Sequence, residues 1–168
     1  MEKDTDIVAI WLKKDPKRWF AGAMAGAFAG LMALIFASLL AKLAGKELWF
    51  AGKILALPFL GGKATEVGMS GASLLAFAIG FVAFELLTAF WGAIYAHFTG
   101  TNALGPLLGM GLTWGAFSWI FLNNLFSPSF LDIRALQIPN SAAFFVWMVY
   151  GVALTSVSYF DRAVRSGR

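Results

Sequence analysis

Glu85 is the residue of this chain best placed to do chemistry by its surroundings. It stands inside the apolar stretch LLAFAIGFVAFELLTAFWGAIYAHF, residues 74–98. A charge at the centre of a membrane helix costs roughly 2.5–3.5 kcal/mol on insertion scales, so such a residue turns inward and takes a partner. At 100° per residue, Ala78, Ala89, Gly92 and Ala96 project within about 40° of it. That small-residue face admits a second helix. Thr88, one turn on, completes an intramembrane polar site, with Thr113 and Ser118 as further hydroxyl candidates. Two chemistries suit Glu85: a structural carboxyl bridging two helices, or a site that takes a proton or a cation.

His97 is the single histidine. A histidine can hold a haem iron or another ligand, which makes His97 a candidate ligand contact. It lies about 120° around the helix from Glu85, so the two do not form an acid–base pair. Its place at the end of the apolar stretch fits an interfacial, water-facing histidine. We expect no metal site and no cofactor.

Catalytic constellations are missing from the sequence. There is no cysteine, which removes thiolate nucleophiles, thiolate metal sites and disulfides. Ser70, Ser73, Ser118 and Ser141 lack a GxSxG elbow. Glu85 has no second acid in an apolar stretch to make an aspartyl-type dyad. The reading leans away from an enzyme.

Glycine spacing is the most specific pattern. Gly22, Gly26 and Gly30 form GxxxGxxxG in the first apolar stretch, and Gly22, Gly26, Ala29, Ala33 and Ala37 fall within about 80° of one another. In the third stretch Gly105 and Gly109 lie on one stripe with Ala116, and Gly111 and Gly115 on another. Small residues let helix backbones approach where lipid supplies no hydrophobic drive. The stripes can pack within the chain or dock another subunit, and two stripes on one helix imply more than one partner helix.

These residues need elements to carry them. Of 168 residues 60% are apolar and 13% charged, against roughly 25% charged in soluble domains, and mean hydropathy is +0.74. A chain this short has too little interior to hide so much apolar surface from water. The expected fold is an all-α membrane protein: a bundle of four transmembrane helices with short interfacial helices, in one domain over residues 1–168. Spans are predicted at about 19–41, 74–98, 105–126 and 140–160, each near the ~20 residues that cross a hydrocarbon core. Interfacial segments are predicted at about 4–14, where Ile7, Ile10 and Trp11 share a side, and at about 47–60, which Lys53 and Pro58 interrupt too early for a span. Asp15 and Pro16 read as a helix N-cap and first position. The turn TGTNAL after His97 is short enough to join only antiparallel neighbours. The apolar run after Trp19 is too long for a signal-peptide core.

Charge sets orientation. Four spans put the N-terminus, second loop and C-terminus on one side, with Lys3, Lys13, Lys14, Lys17, Arg18, Arg162, Arg165 and Arg168. The opposite side holds Lys42, Lys46, Lys53, Lys63 and Arg134. By the positive-inside rule both termini are cytoplasmic, in what we expect to be a bacterial inner membrane. The net charge of +4 forms no basic patch interleaved with aromatics, which argues against nucleic acid. Expected partners are membrane lipids and other membrane subunits or a second copy. The functional expectation is a structural or accessory subunit of a larger membrane complex, non-catalytic and docking through glycine and alanine faces. The alternative is a small transporter or channel component with Glu85 as an intramembrane proton or cation site.

Overall fold

The computed structural model describes residues 15–61, 64, 71–126 and 139–166. The proposed interfacial segment at 4–14 lies outside them. Helix α1 runs Pro16–Leu43. Asp15 caps it from extended backbone, its carboxylate accepting the Arg18 N–H at 3.2 Å. Pro16 follows at the position where a missing N–H costs nothing. The helix ends on Gly45, at φ +74°. The Gly45 N–H bonds the Lys42 carbonyl and the Lys46 N–H the Ala41 carbonyl, at 3.0 and 2.9 Å. That is the Schellman closure, which needs a left-handed residue at Gly45.

Two short helices follow, α2 at Phe50–Ile54 and α3 at Leu57–Leu60. Helix α4 spans Gly71–Phe98. Helix α5 runs Leu104–Ser118 and continues in a wider, π-type winding over Trp119–Phe126. Helix α6, Asn140–Ala153, passes through a tighter 3₁₀ turn at Leu154–Ser156 into α7, Val157–Ser166. No strand occurs among the described residues.

Four helices are long and apolar enough to cross a membrane: Pro16–Leu43, Ser73–Phe98, Leu104–Leu122 and Asn140–Ser166. The shortest, of 19 residues, measures about 28 Å at 1.5 Å per residue, close to the thickness of the hydrocarbon core. The chain is an all-α integral membrane protein with four spanning helices. The helices overrun the predicted spans, which brings Arg18 and Asp161 onto helical backbone.

Helix α1 makes close backbone approaches to α4 on one side and to α6 and α7 on the other, and α5 approaches α6. Ala21, Ala25, Ala29 and Ala33, all fully buried, line the centre of α1. The α4–α5 pair differs. It is joined by the shortest turn, yet it meets mainly through large rings. Trp91 stacks on Phe117 and Phe121, and Tyr95 and Trp91 both pack on Trp114. Bulky aromatics hold two backbones apart where glycine would let them close. Much of the outer surface is Leu, Ile, Val and Phe, such as Phe20, Ile35, Leu86 and Phe90, as expected of helices solvated by lipid.

The segment 47–60 folds against the flank of α4. Gly52 and Gly80 meet so closely that a Cβ on Gly80 would stand 3.1 Å from the Ala56 nitrogen, and one on Gly52 would strike the Phe77 ring at 2.6 Å. Gly80 lies about two and a half turns inside the start of α4. Lys53 is only 1% exposed and its Nζ meets Glu47 Oε2 at 2.7 Å, so its charge is paired within the segment.

Candidate functional site

The glycine stripes have different surroundings. On α1, a Cβ at Gly26 would lie 2.9 Å from Gly92 Cα and 3.0 Å from Ala89 Cα. One at Gly22 would lie 2.7 Å from the Gly92 oxygen, and one at Gly30 would press on Thr88, 2.9 Å from its Cβ. Gly22, Gly26 and Gly30 therefore face α4 of the same chain. On α5, Gly111 faces Gly151 of α6, and a Cβ at Gly115 would lie 2.5 Å from the Trp147 oxygen. A Cβ at Gly105 or Gly109 would meet none of the described residues within 4 Å. Their stripe opens onto the outside of the bundle, beside a shallow groove of about 600 Å³ between α4 and α5. Tyr95 and Phe98 form one wall and Pro106, Gly109, Met110 and Trp114 the other.

Glu85 lies on the same side of α4 as Ala89 and Gly92, about two turns beyond the Gly26–Gly92 crossing. The residue is partly buried. Its Oε1 is buried and has no hydrogen-bond partner among the described residues. None of the three hydroxyls expected nearby reaches it. Thr88 Oγ1 turns back onto its own helix, donating to the Phe84 carbonyl at 3.0 Å and the Glu85 carbonyl at 3.2 Å. Thr113 donates to the Gly109 carbonyl. Ser118 Oγ donates to the Trp114 carbonyl and accepts from Trp91 Nε1, both at 2.7 Å. In a helix each hydroxyl has a carbonyl one turn back within reach, and that local bond wins. Tyr150, fully buried on α6, donates to the Thr88 carbonyl at 2.9 Å.

His97 faces α1. Its Nδ1 accepts from Trp19 Nε1 at 3.1 Å, with the rings edge to face at 5.2 Å. That contact places both at the same end of the bundle. No group of three or more His, Asp or Glu residues that could hold a metal occurs among the described residues.

Comparison with protein-family profiles, with curated proteins and with solved structures finds no match.

One constellation escaped the sequence reading. Arg18, counted there only among the basic residues that set orientation, is 8% exposed and Asp161 only 3%. The guanidinium donates to the carbonyls of Thr99 at 2.7 Å, Thr101 at 2.8 Å and Ala96 at 3.4 Å, and to Asn102 Oδ1. Its Nη1 is 3.3 Å from Asp161 Oδ2, which also accepts from Asn102 Nδ2 at 2.9 Å. Asp161 Oδ1 takes Arg165 Nε at 2.9 Å, and Arg165 reaches on to Asp15 Oδ2 at 2.5 Å. The Arg165 guanidinium holds the Asp15 carboxyl below its usual range. This clamp ties the start of α1, the α4–α5 turn and the end of α7 together. Its one sequence signal was the pair of opposite charges flanking the first and last spans. A buried ion pair with its remaining donors and acceptors filled fixes one geometry more than it adds stability.

Proposed function

We propose that this chain is a structural or accessory subunit of a larger membrane protein complex, without catalysis of its own, docking through the Gly105–Gly109 face of α5. The observation that carries this reading is the contrast among helical glycines. Gly22, Gly26, Gly30, Gly111 and Gly115 press against other helices of the chain, while Gly105 and Gly109 meet none of the described residues. Glycine inside a helix costs about 1 kcal/mol relative to alanine, and at these two positions no contact with the described residues offsets it. A partner helix laid along α5 would offset it by close backbone approach. The aromatic wall of α4 beside the stripe would flank such a helix.

The same reading places both termini in the cytoplasm of a bacterial inner membrane, on the strength of the basic residues at that end of the bundle.

The test is a double substitution, Gly105→Leu with Gly109→Leu, introduced in the native host. Mild-detergent extraction followed by native gel and mass analysis should give a discrete heteromeric species with the wild-type chain and a free monomer with the variant. A wild-type chain that runs alone, or a complex indifferent to the two leucines, overturns the proposal.

A further inference from the structure

Glu85 also lacks a hydrogen-bond donor, and the bonding around it says which kind of group would supply one. Among the described residues, Thr88 and Tyr150 bring hydroxyls to this part of α4, and each has a single hydrogen. Tyr150 gives its hydrogen to the Thr88 carbonyl, and Thr88 gives its own to the Phe84 and Glu85 carbonyls. The buried Oε1 is left with no donor among the described residues. An unsatisfied polar group is costly in hydrocarbon, where no water can serve it. A metal cation would need several oxygen ligands, and no cluster of acidic or histidine side chains surrounds Glu85 among the described residues.

The carboxyl is reached from outside the chain. Glu85 is only partly buried, and on its side of α4 Ala78 and Val82 are exposed and Ala89 is partly so. These residues are small enough for another backbone to come near. The terminal torsion of a glutamate is soft, so a small turn of the partly exposed carboxyl brings an oxygen to a donor on the open side. Glu85 is the thirteenth residue of its 26-residue span, so the donor must sit near the bilayer midplane.

We propose that Glu85 is the recognition point for a partner transmembrane helix that carries one N–H- or O–H-donating side chain, such as an amide, at the depth of the bilayer centre. This rests on reading the chain as a subunit and names the chemistry of a partner on a face other than that of Gly105 and Gly109.

The probe is a synthetic polyleucine transmembrane peptide with a single central Asn, compared with its all-Leu counterpart. Each is labelled and reconstituted with the labelled full chain in phosphatidylcholine vesicles, and association is read by energy transfer. The Asn peptide should bind about tenfold more tightly than the Leu peptide, the scale of one interhelical hydrogen bond in model peptides. Glu85→Gln keeps an acceptor and should keep the preference; Glu85→Leu should abolish it. The two peptides also test the unaltered chain, so the result does not depend on a variant folding. Equal binding of both peptides overturns the proposal, as does an undiminished preference in Glu85→Leu. Loss of preference in Glu85→Gln overturns it in favour of a proton or cation site. Energy transfer between chains that needs Glu85 but no peptide overturns it in favour of a second copy. Because Gly105 and Gly109 are untouched, failure here and failure of the α5 docking face are separate results.

Discussion

Arg18 and Asp161 stand near opposite ends of the sequence, yet the Arg18 guanidinium lies 3.3 Å from the Asp161 carboxylate, with both side chains almost wholly buried. The α4–α5 turn closes around them through Thr99, Thr101 and Asn102. Removing Asp161 leaves the Arg18 guanidinium buried without a carboxylate, and removing Arg18 leaves buried Asp161 with only the more exposed Arg165 as a counter-charge. Asp161→Ala or Arg18→Ala should therefore lower stability by about 3–5 kcal/mol. The double variant should be less destabilised than the two single losses added together. Unfolding in mild detergent, followed by circular dichroism, reads all three; strictly additive losses would mean that the two charges act independently.

Asp15 makes the outer rim of the clamp responsive to acid. The hydrogen bond from Arg165 holds the Asp15 carboxyl below its ordinary value of 3.8. A carboxyl with a depressed folded-state pKa adds stability above its unfolded pKa and loses it as pH falls through the folded value. The contribution should therefore be intact near neutrality and disappear below about pH 4. Both partners are partly exposed, so the effect is small. Asp15→Asn should be less stable than the native chain at pH 7 and should converge with it at acid pH. A stability gap of equal size at both pH values contradicts this assignment.

Gly26 and Gly109 should respond in opposite ways to the same change. Gly26→Leu drives a side chain into the backbone of α4, 2.9 Å from Gly92 Cα at the first carbon alone. Overpacking of this kind costs about 1–3 kcal/mol, and the isolated chain should melt earlier. The first carbon of a leucine at Gly109 meets no described residue within 4 Å, so the isolated chain should melt no earlier than the native one. Thermal melts of the two purified variants compare them directly. Equal loss in both would mean that the α5 stripe is packed within the chain.

The topology can be read with thiol reagents, because the chain has no cysteine of its own. Lys46, after the end of α1, and Ser166, at the end of α7, are both exposed. Single Lys46→Cys and Ser166→Cys variants should label from opposite sides of an intact membrane, with Ser166→Cys reacting only from the cytoplasmic side. Labelling of both from one side contradicts four crossings.

The four spans were legible in the sequence because a hydrocarbon core imposes a length and forbids free charge, and both conditions are local. The α1 cap at Asp15–Pro16 was legible for the same reason, since its bonds join residues a turn apart. The glycine stripes could be seen and grouped by face from their spacing. Whether a face meets another helix depends on how the helices are arranged, and only the tertiary structure separates Gly26 against Gly92 from Gly109 against open space. It likewise decides that Thr88 bonds its own helix and leaves Glu85 Oε1 without a donor, because a hydroxyl chooses among acceptors by distance. Arg18 and Asp161 were the hardest to read. A charge beside a span looks the same in sequence whether it faces water or a partner far along the chain. Their pairing exists only because α1 and α7 run past the apolar stretches and bring their ends together.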